Sequence, residues 1–178
     1  MSSDRIIKVC FYGAESTGKS TMAKKLAARF QTEYVPEVAR ELILSNDFTL
    51  DDIIRIGHAQ TQRVLDKLQN ANRVLFCDTD LITTQIYSRQ YLQIVPPILY
   101  QLEKQISYDD YFLFDIDTEW VADGLRDLGN QRESMHHIFK KELDSRSISY
   151  HFLHGTWEDK EQHIVETLKT KWNLEPYR

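Results

Sequence analysis

The amino-acid sequence predicts an α/β fold in three layers, with a parallel β-sheet flanked by helices on both faces. Patterns typical of strands and of helices alternate along the whole chain, as in folds built from strand-helix-strand units with right-handed crossovers. The strand-like runs are continuously apolar, which favours parallel strands covered on both faces. With 178 residues, of which 42% are hydrophobic, the chain is long enough for one well-buried core, and we predict a single domain over residues 1–178.

Three strands and three helices are predicted in the first half of the chain. The strands are residues 6–12, 33–35 and 73–77. A helix over residues 20–30 is predicted from apolar residues that repeat at four-residue spacing along one face. Pro36 suits the first position of a second helix, which should end near Leu44. Thr49 and Asp52 form a capping box that opens a longer third helix.

Two further strands and three further helices are predicted from about residue 81 onwards. The strands are residues 111–114 and 148–153. One helix begins near Leu81, soon after the third strand. Another carries an apolar stripe that includes Met135 and Leu143, and the last helix covers residues 157–172.

Composition and charge point to a small-molecule partner. Lys and Arg number 22 against 27 Asp and Glu, and the formal net charge is -5, so the chain has no basic surplus with which to hold nucleic-acid phosphates. The N-terminus has no apolar signal core, and no segment approaches the ~18 apolar residues of a membrane helix. Cys10 and Cys77 lie in predicted buried strands without metal-binding spacing, which indicates free thiols in a reducing compartment. We therefore predict a soluble, cytoplasmic protein that binds neither nucleic acid nor membrane.

The segment that joins the first predicted strand to the first helix, residues 13–20, matches G-x-x-x-x-G-K-[ST], the Walker A phosphate-binding loop or P-loop. Its glycines let the backbone form a concave nest of N–H groups at a helix N-terminus, where a polyphosphate is stabilised. A plain glycine-rich turn would explain the glycines but not Lys19 and Ser20 together. The residues predicted to bind the ATP phosphates are Gly13, Ala14, Glu15, Ser16, Thr17, Gly18, Lys19, Ser20 and Thr21. The fold class is therefore predicted to be the P-loop NTPase fold.

Individual side chains of this loop have separate expected roles. Lys19 would bridge the β- and γ-phosphates as a point charge, and Thr21 would lie near the α-phosphate. The Ser20 hydroxyl would ligate Mg²⁺, so ATP and Mg²⁺ are the expected cofactors. Because a carboxylate inside the nest would repel phosphate, the Glu15 side chain should point away from it.

Acidic residues follow the predicted strands at the edge of the sheet where α/β folds bind ligands. Asp78 ends the third strand as a Walker B acid does, so it could hold Mg²⁺ or accept a proton from an attacking hydroxyl. An equally good explanation is that Asp78 caps the helix near Leu81. Glu37 and Arg40 follow the second strand, where they could supply a base and a phosphate or ribose contact, or form a surface ion pair.

A mobile lid is predicted over residues 117–135. Arg126 and Arg132 bracket Gly129-Asn130, a helix stop signal that could let both side chains converge on the transferring phosphoryl group. Two solvated arginines are the alternative. Trp120 follows the acidic end of the fourth strand and could stack on a flat ring beside the site. The adjacent pair His136-His137 (residues 136–137) is not a metal site, because neighbouring helical side chains diverge.

Three segments, GAESTGKST, CDTDLITTQ and DTEWVADGLRDLGNQR, resemble the ribosylnicotinamide kinase domain of the bifunctional NadR regulators. The similarity spans nearly the whole chain. It implies a fold like that of the nucleoside and nucleotide kinases, with a helical lid. It also implies ATP-dependent phosphorylation of the 5′-hydroxyl of nicotinamide riboside to nicotinamide mononucleotide, a step of NAD biosynthesis. The adenylyltransferase and DNA-binding activities of the bifunctional proteins are not expected here.

The resemblance assigns roles to further residues, most of which lie outside the P-loop. The implied substrate-binding residues are Glu37, Arg40, Asp78, Asp80 and Trp120, and the implied catalytic residues are Lys19, Asp78, Glu37, Arg126 and Arg132. Either Asp78 or Glu37 would deprotonate the hydroxyl. Glu133 departs from a lid that tends to be basic. A kinase for another nucleoside or small hydroxyl compound, and a non-catalytic sensor of ATP or NAD, stay open as alternatives.

Overall fold

The computed structural model describes residues 5–119 and 129–178, which form the predicted three-layer α/β fold. A five-stranded parallel sheet has the strand order β2-β3-β1-β4-β5. The elements are β1 (Ile7–Tyr12), α1 (Lys19–Phe30), β2 (Tyr34–Val35), α2 (Ala39–Leu42), α3 (Leu50–Leu68), β3 (Val74–Asp78), α4 (Leu81–Leu92), α5 (Pro97–Glu103), β4 (Asp110–Phe114), α6 (Arg132–Ser145), β5 (His151–Leu153) and α7 (Trp157–Trp172). A short 3₁₀ turn, Gly129–Gln131, precedes α6.

The central strand β1 supplies side chains to both faces of the sheet. Val9 and Phe11 lie in the core beneath α1 and α7, whereas Cys10 and Tyr12 lie in the core beneath α4 and α6. The ring of Phe11 contacts three further phenylalanines of β3 and β4, with centroids 5.2–6.0 Å apart. These rings all lie on the face covered by α1 and α7, and Cys10 and Tyr12 are buried on the opposite face. Burial on both faces explains why the strands are continuously apolar.

The predicted strands are confirmed, although the last one is shorter than predicted, because β5 covers only His151–Leu153 of residues 148–153. Most predicted helices are confirmed, with two corrections. The predicted helix from Pro36 to Leu44 is wrong in extent, because only Ala39–Leu42 is helical. The backbone before α2 is held instead by a tertiary contact, in which the Val38 N–H donates to Gln60 Oε1 at 3.1 Å. The helix α5 was not predicted, since its seven residues are too few to show a clear period.

Cys10 and Cys77 are free thiols, as predicted, although they are neighbours in the paired strands β1 and β3. Burial raises the pKa of both thiols, so they stay neutral. Within residues 5–119 and 129–178, none of the helices combines the length and the apolar character needed to cross a bilayer.

Candidate active site

An open cleft lies at the carboxyl ends of β1, β2 and β3. The P-loop forms one side of it, and side chains of α2, α3 and α4 form the other. Eight of the nine predicted phosphate-binding residues line this cleft. The exception is Ala14, whose side chain is buried in the core beneath the loop.

Both P-loop glycines are required by their surroundings. Gly13 has φ +137°, and a Cβ there would lie 2.9 Å from the Phe114 carbonyl oxygen. Gly18 caps α1 with φ +89°, and a Cβ there would lie 2.9 Å from the Trp157 ring. The loop therefore combines backbone that only glycine adopts easily with close packing against β4 and the start of α7.

The Lys19 ammonium group is held at the P-loop by main-chain oxygens. Its Nζ donates to the carbonyl oxygens of Gly13 (3.0 Å) and Ala14 (2.7 Å), and to Thr17 Oγ1 at 3.3 Å. Only 7% of the residue is exposed. The positive charge is therefore fixed beside the nest that the glycines shape, where a polyphosphate would meet it.

Asp78 brings a buried carboxylate to the cleft, beside Ser20 and Lys19 of the P-loop. The residue is 2% exposed, and its Oδ1 atom has no hydrogen-bond partner among the residues that the structure describes. Burial, and after it the nearby Glu37 carboxylate, raises the pKa of Asp78 to about 7. Lys19 and Arg40 oppose this shift. The four charged groups thus share one site.

Glu37 and Arg40 pair with each other at the edge of the cleft, with Arg40 Nε donating to Glu37 Oε2 at 3.2 Å. Both residues also line the cleft. The ion pair and the site residues, which sequence analysis gave as alternatives, are therefore the same two side chains. The late start of α2 at Ala39 contributes to this position, because Glu37 precedes the helix and lies close to the end of β2.

Asp80, not Asp78, caps α4, so the capping explanation for Asp78 is wrong. Asp80 Oδ1 accepts from the N–H and the hydroxyl of Thr83 at 3.0 and 3.1 Å, and Oδ2 accepts from the Tyr111 hydroxyl at 2.9 Å. Burial raises the pKa of Asp80 to about 6. The capping geometry turns this carboxylate away from the cleft, so Asp80 is not brought to the predicted substrate site.

Sequence analysis missed an aromatic wall opposite the P-loop, formed by Phe48, Tyr87 and Tyr91. The rings of Phe48 and Tyr91 meet edge to face at 5.1 Å, and those of Tyr87 and Tyr91 lie 6.4 Å apart. Two features of the sequence could have predicted this wall. Phe48 immediately precedes the capping box of α3, the position of a hydrophobic staple, and Tyr87 and Tyr91 are four residues apart on α4.

Carboxylates flank this aromatic wall. Burial most of all, and then Glu15 and Glu37, raises the pKa of Tyr87. Glu15 therefore lies on the Tyr87 side of the P-loop. A flat ring placed against the wall would meet aromatic faces and negative charge together.

The described part of the predicted lid contacts the P-loop backbone. Arg132 donates to the carbonyl oxygens of Thr118 and Ser16, the latter at 2.9 Å. Its guanidinium group therefore holds main-chain carbonyls in this structure, whereas sequence analysis placed it on the phosphoryl group. Trp120 and Arg126, which carry the other lid predictions, lie outside the described residues.

Comparisons with known proteins agree with this architecture. Residues 8–160 match the AAA domain family. A curated relative, the trifunctional NAD biosynthesis/regulator protein NadR of Salmonella typhimurium, is 32% identical in an alignment of length 173 that covers 90% of this chain and 42% of the relative. The chain thus spans less than half the length of that relative. The predicted resemblance to NadR is confirmed.

Two solved structures share the fold. The crystal structure of NadR protein in complex with NR superimposes with a TM-score of 0.85 at 21% identity, covering 97% of this chain and 53% of that one. Deoxyadenosine kinase from M. mycoides superimposes with a TM-score of 0.68 at 12% identity, covering 92% of this chain and 100% of that one. The predicted kinase-like P-loop fold is confirmed.

The buried carboxylate of Asp78 should reduce the stability of the folded protein at neutral and alkaline pH. Its pKa is higher in the folded than in the unfolded chain, so the stability that its proton contributes is lost as pH rises from about 4 to about 7. We expect Asp78→Asn to raise the free energy of unfolding by ~1–3 kcal/mol at pH 8 and by less at pH 5. Urea denaturation at both pH values measures this difference.

The exposed Asp47 provides a matched control. Asp47→Asn should leave the free energy of unfolding nearly unchanged at both pH values. A stabilisation by Asp78→Asn that is equal at pH 5 and pH 8 would contradict the assigned pKa.

Proposed function

The chain belongs to the AAA domain family, and from this premise we propose that it is an ATP-dependent kinase that phosphorylates the 5′-hydroxyl of nicotinamide riboside. One feature of the structure carries the proposal: a single cleft joins the P-loop, the strand-end carboxylates Asp78 and Glu37, and an aromatic wall. The P-loop suits a triphosphate, the carboxylates suit a hydroxyl group, and the aromatic wall suits a flat ring. The NadR relative and the NadR structure with NR support the choice of acceptor.

The P-loop side of the cleft would hold the phosphates of ATP. The nest lies at the N-terminus of α1, where main-chain N–H groups and the helix dipole favour negative charge. Lys19 adds a full positive charge at the same place. Little covalent chemistry is required of the protein in phosphoryl transfer, because positioning and charge stabilisation supply most of the catalysis.

The donor atoms near the P-loop fit Mg²⁺. Asp78 offers the buried oxygen Oδ1, and the Ser20 hydroxyl hydrogen-bonds to the same carboxylate. Within the described residues, no cluster of three His, Cys, Asp or Glu side chains could hold a metal ion. An ion bound together with nucleotide phosphates needs only one or two protein oxygens. Once bound by Ser20 and Asp78, Mg²⁺ would neutralise charge on the phosphates.

The two carboxylates divide between the metal and the acceptor in this proposal. Asp78 lies beside Ser20 and Lys19, which are the phosphate-binding groups. Glu37 lies farther along the cleft with Arg40 and is one of the charges that act on Tyr87. One carboxylate cannot serve a metal ion and a hydroxyl proton equally well at the same time. Asp78 therefore serves the metal, and Glu37 orients and deprotonates the hydroxyl.

The acceptor side of the cleft favours a flat cationic ring. The aromatic faces of the wall and the nearby Glu15 and Glu37 carboxylates would stabilise a positive ring by cation–π and charge interactions. The nicotinamide ring of the riboside carries such a charge, whereas the bases of common nucleosides are neutral.

Steady-state rates of acceptor-dependent ADP release test the acceptor. With Mg²⁺-ATP fixed, we expect kcat/KM for nicotinamide riboside to exceed that for adenosine, cytidine and thymidine by at least about tenfold, since a desolvated cation–π contact alone supplies ~2 kcal/mol. A preference for a neutral nucleoside would indicate the other kinase that sequence analysis left open. Tight binding of Mg²⁺-ATP without ADP release for any acceptor would indicate a sensor and contradict the proposal.

Lys19→Ala should abolish turnover while the fold stays intact, because it removes the charge beside the transferring phosphate and leaves the core untouched. Initial rates at saturating ATP measure turnover. The far-ultraviolet circular dichroism spectrum measures whether the fold is intact. The exposed Lys24 on the same helix is the control, and Lys24→Ala should retain normal rates. Normal turnover in Lys19→Ala would refute the role of the P-loop lysine.

Glu37→Gln should lower kcat by ~10²–10⁴-fold, the usual contribution of a general base. Its affinity for Mg²⁺-ATP, measured by calorimetry, should stay close to that of the wild type, because Glu37 lies on the acceptor side. Asp78→Asn should instead weaken Mg²⁺-ATP binding. If the two variants exchanged these effects, the division of roles between the carboxylates would be wrong.

A further inference from the structure

The tip of the P-loop is fastened to the segment that follows β4. The Ser16 carbonyl oxygen accepts two hydrogen bonds at 2.9 Å, one from Thr118 Oγ1 and one from Arg132 Nη2. Arg132 also donates to the carbonyl and hydroxyl oxygens of Thr118, which fixes the position of that residue. Thr118 is thus the centre of a contact between three parts of the chain that are distant in sequence.

The backbone at Ser16 needs such an external hold. Its φ is +58°, in the left-handed region that residues with a β-carbon adopt only at a cost in free energy. Such a conformation persists only where surrounding contacts impose it. Gly13 and Gly18 have positive φ angles as well, but they lack the β-carbon that makes the conformation unfavourable.

The direction of the Ser16 carbonyl also fixes the direction of a neighbouring N–H group. In a planar trans peptide the carbonyl of one residue and the N–H of the next point to opposite sides. Since the Ser16 carbonyl points at Thr118 and Arg132, the Thr17 N–H points away from them, and Thr17 lines the cleft. Main-chain N–H groups directed inward are what make a nest bind an anion.

We infer that Thr118 is a positioning residue for the nucleotide, which holds the Ser16 carbonyl so that the Thr17 N–H is directed at a phosphate. The inference rests on the proposed binding of ATP phosphates by the P-loop. The preceding residue strengthens it. Asp117 accepts from the Gly155 N–H at 2.7 Å and pairs with the buried Lys160, so Thr118 extends from a segment that is itself anchored to α7.

Removal of the Thr118 hydroxyl with little change in shape tests the inference. In Thr118→Val we expect amide hydrogen exchange of a peptide covering residues 13–18 to be about three- to tenfold faster, which corresponds to the loss of one hydrogen bond. The Kd for Mg²⁺-ATP, measured by calorimetry, should rise by a similar factor. Thr118→Ser keeps a hydroxyl and should restore both values.

Thr167→Val is the matched control, because the hydroxyl of Thr167 is exposed and donates only within α7, to the His163 carbonyl oxygen at 2.8 Å. It should change neither exchange of residues 13–18 nor Mg²⁺-ATP affinity. Unchanged exchange or unchanged affinity in Thr118→Val would overturn the positioning role. Exchange is measured without nucleotide, so it shows whether Thr118 holds the P-loop independently of ligand binding. A wild type that bound no Mg²⁺-ATP would instead contradict the proposed function.

Discussion

The parallel pairing of β1 with β3 determines where the reactive groups of this protein meet. Phe11 is opposite Asp78 in the register, and the Thr79 N–H donates to the Phe11 carbonyl oxygen at 2.9 Å. Both strands therefore end at the same level. The P-loop leaves β1 two residues later, so Lys19 and Asp78 face one cleft although 58 residues separate them in sequence. The phenylalanine packing around Phe11 keeps this register, because a slip by one residue would move every buried side chain to the other face.

The candidate active site brings charged side chains together in a buried region, where an ionised group has a high free-energy cost. Asp78 is buried beside Glu37, and the two carboxylates disfavour each other's ionised forms. Lys19 and Arg40 offset part of this cost without removing it. Local instability of this kind is common where a protein must bind charged ligands, since the ligand completes the electrostatic balance.

The sequence carried enough information for the layers of the fold and for one half of the site. Continuous apolar strands and a Walker A motif are local signals, and the fold that they predict is confirmed. The sequence could not predict that Asp80 rather than Asp78 caps α4. Both residues precede this helix, and only their side-chain directions distinguish them. The aromatic wall was missed for a related reason: Phe48 and Tyr91 belong to elements that meet only in the folded chain. The contact of Thr118 with Ser16 likewise joins positions 102 residues apart. No periodic pattern in the sequence predicts contacts of this kind.

The packing of Trp157 against Gly18 gives the molecule a property of practical use. An indole ring in contact with the loop that would carry a triphosphate absorbs and emits within the same local surroundings. Its emission would respond to rearrangement or occupancy of that loop. The chain thus contains a native fluorophore packed against its P-loop, and titrations with nucleotide could be followed by tryptophan fluorescence without an added dye.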